Sequence, residues 1–599
     1  MRKAIVIVEA ISTGLFYEQD ILDRGYLPLV IYPYIQGSQE EKRAYENVRE
    51  ACRKQLSEQT VLIADDGNPD HLLAALSPYE IVCVLAGSEM GVVLADWLAQ
   101  KLRLPGNPPS SSLLHLDKDL MQQALQAHHL RSIRGKVVRT LQEVRDWWEE
   151  LSVSHVVLKH VAGAGTAGLH FCSSLEEALR AAAEEFSRTD YFGRQADGLI
   201  MQERVEGTEY IVNTVSCGGV HRVTDIWVYD KVRRAQSGNA YNYARILRRL
   251  EAGHAQMVEY AFQVLDALDF CYGPSHGEYM LTETGPVLIE VGARPMGGHF
   301  PRPLLHRLLG HHLTDVSLDS YLDPEAFERE RKKPYRTRGF LMNKFFITPR
   351  GGDVNSYPIL TILRSLKTFA GSSLLSAFTA LHLPTTVDLD SAPGNILLYS
   401  EDEDAVWQDY RILRTIEKQC FSALFEIASP PEEYPSVPPR VPSLKGLKGR
   451  VRILADEKLK IQDSREGTGL PAAAEVPAPA DTPAAAGMPA EEGPPGARWT
   501  ECLTPDEMDA AKKPADAGIF LMRNGYSLEE RVSLLYALVR SIRPGGTILI
   551  PEEIYRPISI GRTGLELLLE AFGVTLEVPV YGTDRSIFGT VEEREKNDA

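Results

Sequence analysis

The sequence predicts a multidomain protein of mixed α/β and α+β class, with a separate α/β module in its last hundred residues. Three observations predict it. Residues 1 to about 113 alternate short β-branched strands with helical stretches, the pattern of a small parallel sheet with helices packed outside. The stretch from Leu265 to Phe300, LDALDFCYGPSHGEYMLTETGPVLIEVGARPMGGHF, holds two apolar strands around the turn Thr282-Glu283-Thr284-Gly285-Pro286, as an antiparallel hairpin requires. After a Pro- and Ala-rich stretch from about Ser464 to Ala497, strand and helix patterns resume.

A chain of 599 residues is too long for one core, so about three to five domains are expected. Apolar residues at 44% and charged residues at 24% are ordinary for a globular protein. The net charge of −18 argues against nucleic acid or an anionic membrane as the main partner. Cys52, Cys83, Cys172, Cys217, Cys271, Cys420 and Cys502 are scattered, with no CxxC pair. Reduced thiols in a cytoplasmic protein, without a structural zinc, fit that spacing. The start, MRKAIVIVEA, has too short an apolar run for a signal peptide, and no stretch reaches the roughly 18 apolar residues of a membrane span.

In chain order, the first domain (1–113) has strands at Lys3–Val8, Leu27–Tyr32, Thr60–Ala64 and Ile81–Ala86, with helices such as Leu15–Arg24 and Val92–Leu102 between them. Ligands of such sheets sit beyond the carboxyl ends of the strands. Ser12-Thr13-Gly14 and Gly87-Ser88-Glu89 therefore face one crevice. The first loop is not GxGxxG, so no dinucleotide is indicated.

The second segment (114–205) opens with a helix from His115-Leu116-Asp117-Lys118, followed by a strand at Val137–Thr140 and a helix around Trp147. The strand HVVLKH then ends near Lys159, directly before Ala162-Gly163-Ala164-Gly165-Thr166-Ala167-Gly168. Glycines there let backbone N–H groups approach phosphate oxygens, and nearby lysines add charge. In GLIMQERVEGTEYIV, Gln202, Glu203 and Glu209 bracket a Gly-Thr turn. That is either a hairpin with exposed acids or a hinge that reads an adenine and a ribose.

The third segment (206–325) contains the hairpin. Antiparallel pairing brings Glu278 and Glu290 together on one face. Two close carboxylates repel unless a positive charge lies between them, and a hard divalent cation serves. Arg294 follows four residues on. The alternative is a plain hairpin with surface acids. His306, His311 and His312 lie on a helix after Gly298, with no spacing that suggests zinc.

Residues 326–430 form a further subdomain, in which Lys344 and Arg350 read as surface charges. Residues 431–499 are an extended segment and flexible linker. Within 500–599, EERVSLLYALVRSI is a helix, RPGGTILIPE a turn and strand, GLELLLEAFGVTLE a helix, and VPVYGTDRSIFGTVEE a hairpin.

Taken in order, Lys118, Lys159, the glycine loop, MQERVEGTEY, Glu278, Glu290 and Arg294 resemble the ATP-grasp superfamily, and within it the carboxylate–amine ligases that join L-amino acids. GSEMGVVLADWLA, LPGNPP, GTEYIVNTVS, HRVTDIWVYDK, GPSHGEYMLTETGPVLIEVGARPMGG and SYLDP carry the likeness over roughly residues 1–430. The resemblance implies a parallel-sheet N-terminal domain plus two α+β lobes clasping ATP. It gives Lys118 and Lys159 the phosphates, with Gly163, Gly165, Thr166 and Gly168 folding over them. Gln202, Glu203 and Val205 would meet the adenine, and Glu209 the ribose. Glu278 and Glu290 would hold magnesium, two ions with manganese as a substitute, and Arg294 would face the transferred phosphoryl group. His221 and Lys231 of HRVTDIWVYDK, with Tyr229, would lie near phosphate or substrate. Three features depart from the wider pattern: Gly292 where many members carry Asn, LKH for the commoner LKP, and GAGTAG without the usual Ser and Asp. The last hundred residues resemble the second half of an S-adenosylmethionine-dependent methyltransferase without its glycine-rich first half, so a remnant, a docking domain and a dimerisation module all remain open.

The resemblance implies an ADP-forming ligase that makes an amide through an acyl phosphate, with small-molecule substrates and a homodimeric assembly. A regulatory ATP-binding protein and a ligase with a non-amino-acid acceptor are the alternatives.

Overall fold

The computed structural model describes residues 2–35, 39–161, 168–187, 198–234, 238–298, 300–374, 382–389, 391–427, 449–455, 497–503, 515–521, 527–550, 561–577 and 587–591. It forms two compact units. The first is Met1–Phe345 with Val387–Ala392 and Tyr399–Glu403; the second is Phe346–Thr386, Pro393–Leu398 and Asp404–Ala599. Among the described residues no helix is long and apolar enough to cross a membrane.

The first unit opens with β1 (Lys3–Val8), α1 (Phe16–Asp23), β2 (Leu27–Ile31), α2 (Gln39–Arg53), β3 (Val61–Ile63), α3 (Pro69–Leu76), β4 (Glu80–Ala86) and α4 (Val92–Leu102). The strands form a parallel sheet in the order β3-β2-β1-β4. Every side chain from Ala4 to Val8 is fully buried, because both faces are covered. Ala4, Val6 and Val8 pack with Leu72, Leu76, Leu98 and Ala99, while Ile5 and Ile7 pack with Tyr17 and Ile21. A strand covered on both faces reads as a continuous apolar run rather than an alternation.

Next come α5 (Lys118–Ala127), β5 (Gly135–Val138), α6 (Leu141–Leu151), β6 (Val156–His160), β7 (His170–Cys172), α7 (Leu175–Ser187) and β8 (Leu199–Glu203). Their sheet has the order β5-β8-β6-β7, antiparallel throughout. Val138, Val156, Leu158, Leu199 and Met201 pack under α6 and α7. Two boundaries differ from the sequence expectation, and capping explains both. Thr140 leaves the strand because its hydroxyl accepts from the Glu143 N–H in a capping box that starts α6. The helix expected from His115 begins at Lys118, where the Asp117 carboxylate accepts from the N–H groups of Asp119 and Leu120.

The larger sheet comprises β9 (Thr208–Cys217), β10 (Val220–Arg234), β11 (Gly238–Ile246), β12 (Tyr272–Thr282), β13 (Gly285–Gly292) and β14 (Phe340–Phe345), ordered β13-β12-β9-β10-β11-β14. The helix α8 (Ala252–Ala267) precedes β12, and α9 (Arg302–Leu309), α10 (Leu313–Leu322) and α11 (Pro324–Arg331) follow β13. Tyr210, Val212, Ile226, Val228, Tyr279, Leu288 and Val291 form one face of this sheet and pack with Met257, Ala261, Val264 and Leu265 of α8. Side chains alternate along a strand, so the intervening residues share the opposite face. Lys344 of β14 is fully buried, a correction to the surface position expected of it; its ammonium donates to the Phe345 carbonyl. Arg350 is exposed as expected.

In the second unit, β15 (Gly352–Ser356) is followed by α12 (Ile359–Ser365), β16 (Phe369–Ser373), β17 (His382–Leu383), β18 (Asn395–Ser400) and β19 (Glu426–Ile427). A six-stranded sheet has the order β21-β20-β22-β23-β25-β24, from Gly449–Ala455 (β20), Ala497–Leu503 (β21), Ala515–Leu521 (β22), Ile542–Ile550 (β23), Val574–Glu577 (β24) and Ile587–Val591 (β25). β21, β20, β22 and β23 run parallel, and β25 is antiparallel to both of its neighbours. The sequence reading leaves Gly449–Ala455 in an extended segment. The structure pairs it with Ala515–Leu521 across the Pro- and Ala-rich stretch, whose residues 456–496 lie outside the described residues. The helix Leu528–Ser541 joins this sheet to the preceding subdomain: Tyr536 donates to the Arg364 carbonyl at 3.0 Å, and the Glu529 carboxylate accepts from the Tyr357 N–H at 3.0 Å.

The two loops expected to share a crevice meet closely. A Cβ on Gly87 would fall 2.4 Å from the Glu9 carbonyl oxygen, a backbone atom that cannot swing aside. Gly87→Ala is therefore expected to destabilise the first unit by about 1–3 kcal/mol, read as a lowered midpoint in chemical denaturation, with the six-stranded module unaffected.

Candidate active site

A bulge sets the site. Along β12 and β13, Thr282 pairs with Gly285 and Tyr279 with Leu288, then the register slips so that Glu278 lies opposite Glu290. Without that slip, Glu290 would face Gly277 and its side chain would turn toward the core. Bulges re-aim side chains in this way. The expected pairing of the two carboxylates on one face is what the register gives.

Cations surround the pair. Lys118, buried at the start of α5, places Nζ 2.9 Å from Glu290 Oε2. Burial pulls its pKa down, but Glu290 and the neighbouring acids hold it above the ordinary lysine value. Lys159, near the end of β6, keeps part of its side chain in solvent, yet its ammonium is packed deeply enough to have its pKa lowered to about 8, against the attraction of Glu290. Glu278 responds the other way. Burial opposes its ionisation, but the His276 imidazole beside it and the charges of Lys231 and Arg294 bring its pKa down to about 2.

Lys231 of β10 sits 2.7 Å from Glu209 of β9 and 4.3 Å from the centroid of the Tyr241 ring. Burial raises the Glu209 pKa, and Lys231 opposes that. Arg294 follows β13, with Nε 3.0 Å from Glu89 Oε2 and Nη1 donating to the Pro295 carbonyl at 3.1 Å. The other crevice loop meets the same segment: Thr13 Oγ1 donates to the Gly298 carbonyl at 2.8 Å, and Ser12 Oγ accepts from the Gly298 N–H at 3.2 Å. Both loops singled out in the N-terminal domain thus border the residues that follow the β12–β13 hairpin.

A buried polar chain runs behind Glu278. His276 Nε2 lies 3.7 Å from Glu278 Oε1, and His276 Nδ1 lies 2.9 Å from Asn213 Oδ1. Asn213 donates to Asp225 at 2.5 Å, and the Trp227 indole N–H donates to the same Asp225 oxygen at 2.6 Å. The registers His276↔Asn213 and Asp225↔Asn213 place these groups side by side across three strands. Sequence reasoning missed them. His276 stands two residues before Glu278, and the twofold period of a strand was the signal available.

The other expected residues are placed as follows. Gln202 is buried on β8, and its side-chain N–H₂ has no hydrogen-bond partner among the described residues. It lines a cleft of about 120 Å³ with Asp119, Gln122 and Ile200. Glu203 is paired with Arg134, 2.8 Å away, and Val205 is half-buried just beyond the strand. Gly163, Gly165 and Thr166 lie outside the described residues. Gly168 is described, with φ 71°, and a Cβ there would strike the His160 ring. His160, the departure in LKH, and His170 both bind the carboxylate of Glu185, at 2.9 and 2.8 Å, so one residue of α7 ties together the strands on either side of the glycine loop. His221 is not brought to the cluster. It is held between Ser216 and Asp266, at 2.7 and 3.2 Å, and packs on Phe262.

The paired acids of β12 and β13, with Lys118, Lys159, Lys231 and Arg294 around them, form one buried cluster of opposite charges. The comparisons give the class of protein. No family model matches the sequence. The chain is 33% identical over 363 residues to dapdiamide A synthase of Enterobacter agglomerans, covering 60% of this chain and 84% of that protein. It is 31% identical over 240 residues to human carnosine synthase 1, covering 37% of this chain and 28% of that protein. The L-amino acid ligase from Bacillus licheniformis shares the fold with a TM-score of 0.54 at 17% identity, over 69% of this chain and 98% of that one. The chain belongs to the ATP-grasp superfamily, among its ATP-dependent amide-forming ligases.

The lowered pKa of Lys159 has a direct readout. An amine is nucleophilic only when deprotonated, so its labelling by an acylating reagent in the free protein should reach half-maximum near pH 8, whereas exposed lysines reach it about two pH units higher. Peptide mapping across pH measures this.

Proposed function

We propose that this chain joins the carboxylate of one amino acid to the amine of a second, through an acyl phosphate, and releases ADP and phosphate. It would thus be an acid–amino-acid ligase. The observation that carries the reading is the cross-strand pair Glu278 and Glu290, set between Lys118 and Arg294.

A carboxylate and an amine at neutral pH form a salt, not an amide. Transfer of the ATP γ-phosphoryl group to the carboxylate supplies a leaving group, and the amine then displaces it. Such transfer rests on positioning and charge stabilisation. Lys118 and Lys159 would hold the phosphates, and the family resemblance would fold the glycine loop over them. Gln202 has a buried, unused donor for a base edge, and Glu209 is the carboxylate for the ribose. Arg294 leaves Glu89 to meet the transferred group, and Glu89 then becomes a carboxylate beside the substrate amine.

The oxygen donors of Glu278 and Glu290 suit magnesium, and the low pKa of Glu278 keeps it ionised for that purpose. When bound, magnesium ions, two of them on this reading and replaceable by manganese, would neutralise charge on the phosphates. The name of the L-amino acid ligase supports amino-acid substrates, and the family resemblance supports a homodimer.

The test is ADP and phosphate release from Mg-ATP with amino acids, singly and in pairs. The expected result is release that depends on a particular pair and falls by about a hundredfold or more in Glu290→Gln. Release stimulated only by a non-amino-acid amine would move the acceptor outside amino acids, and ATP binding without release under any condition would overturn the ligase reading.

The pH dependence follows from Lys159. Its ammonium is intact below about 8 and is lost as pH rises through that value. In steady-state assays kcat/KM for ATP should fall above about pH 8, and Lys159→Arg, which stays charged, should flatten that limb.

A further inference from the structure

The sequence reading found no metal-binding spacing among His306, His311 and His312, but the fold makes one. α9 ends at Leu309, and Gly310 takes up a left-handed conformation with φ 83°. The chain reverses there, and His312 caps α10. The turn brings His306 of α9 onto His312 and Asp315 of α10. His306 Nε2 lies 2.8 Å from His312 Nδ1 and 3.3 Å from Asp315 Oδ2, and His312 Nδ1 lies 3.2 Å from Asp315 Oδ2. Each residue offers one donor atom for a metal, and the three atoms lie within 4.8 Å of one another.

The triangle has the size of a coordination face. Metal–ligand bonds of about 2.0–2.1 Å in a tetrahedron separate neighbouring ligands by about 3.3 Å. Two edges match this, and the third, at 2.8 Å, widens by a small rotation of the His306 ring, whose side chain is 46% exposed. That exposure also leaves a fourth position open to water. An ordinary surface cluster would stop there.

The other side of His312 supplies the second observation. His312 is 2% exposed, and its Nε2 lies 2.9 Å from both carboxylate oxygens of Asp20, itself 1% exposed, on α1. Asp20 is in turn held by Thr314 Oγ1 at 2.6 Å and Arg302 Nη2 at 2.8 Å. A histidine ligand whose second nitrogen is fixed by a hydrogen-bonded carboxylate is how proteins orient imidazole toward a metal. Here the orienting carboxylate comes from a different segment of the chain, nearly three hundred residues away.

We propose that His306 Nε2, His312 Nδ1 and Asp315 Oδ2 bind one divalent transition metal, zinc by their mixed nitrogen and oxygen set, with water as the fourth ligand. Asp20 is the positioning residue. The site is separate from Glu278 and Glu290 and does not depend on the proposed reaction. Its consequence is mechanical: the metal pins the α9–α10 corner, which follows directly on the segment that Ser12 and Thr13 hold.

The experiment is metal titration of the full-length, tag-free protein after chelator treatment, using zinc by calorimetry and cobalt by visible absorption. Expected are one zinc per chain with micromolar or tighter affinity, the intense visible bands of tetrahedral cobalt, and a raised melting temperature. His306→Ala, an exposed position where folding is safe, should lose at least tenfold in affinity, along with the cobalt bands and the thermal shift. Asp20→Asn should keep the ligands but weaken binding about tenfold or more. Glu290→Gln should bind zinc as the native protein does. The proposal is overturned if binding is absent, if His306→Ala binds like native protein, or if Glu290→Gln abolishes binding, which would place the zinc at the phosphate carboxylates.

Discussion

The side-by-side placement of Glu278 and Glu290 is the constraint from which the rest of the site follows. Cross-strand neighbours hold their Cβ atoms about 5 Å apart, and two ionised carboxylates at that separation repel. One extra residue in β13 creates this pairing instead of hiding Glu290 in the core. Nearby elements contribute positive charge: Lys118 from a helix start, Lys159 from the neighbouring lobe, Lys231 from β10 and Arg294 from beyond the hairpin, with Glu209 and Glu89 paired to the last two. Turn Glu290 into the core and Lys118 would lose its 2.9 Å partner. The acids and the lysines are therefore one electrostatic unit, and neither half is stable at this burial alone.

That unit was legible in the sequence because its chemistry is local. Glu278 and Glu290 flank a short turn that puts them on neighbouring strands, although strict strand period would set them on opposite faces and only the bulge brings them to one. The parallel sheet of the N-terminal domain was legible for a similar reason: runs such as AIVIV are fully apolar only where both faces are covered. What escaped were groups whose roles depend on register between distant strands. Asn213 and Asp225 look like ordinary strand polars until three strands align them behind His276. Lys344 looks like a surface lysine in an alternating strand, and only its place within the large sheet buries it. The α9–α10 histidines escaped because a left-handed glycine, not helical spacing, brings them together.

Capping accounts for the boundary differences. Thr140 and Asp117 each have side chains that satisfy helix N–H groups, and both residues therefore belong to helix starts instead of the strand or turn that apolar pattern alone suggests. The C-terminal sheet differs for another reason. Its strand Gly449–Ala455 precedes a long low-complexity stretch and pairs with Ala515–Leu521 after it. Loop-closure entropy grows only slowly with loop length, so such an insertion costs little once the strands have side chains to bury.

The polar chain behind Glu278 bears on how the halves of the site communicate. Glu278 contacts His276, His276 contacts Asn213, and Asn213 also touches the Met296 sulfur at 3.2 Å. Met296 lies between Arg294 and Gly298, the segment gripped by Glu89, Ser12 and Thr13. Beyond Asp225, Trp227 stacks near Phe300, with ring centroids 5.0 Å apart. One series of polar contacts thus joins Glu278 to the loop that carries Arg294. Buried networks of this kind are strongly stabilising only when every member is satisfied, so a shift of Glu278 would be felt at Asn213 and, through it, at the segment that Glu89, Ser12 and Thr13 grip. The same strands that set the carboxylates side by side therefore also tie the position of Arg294 to theirs.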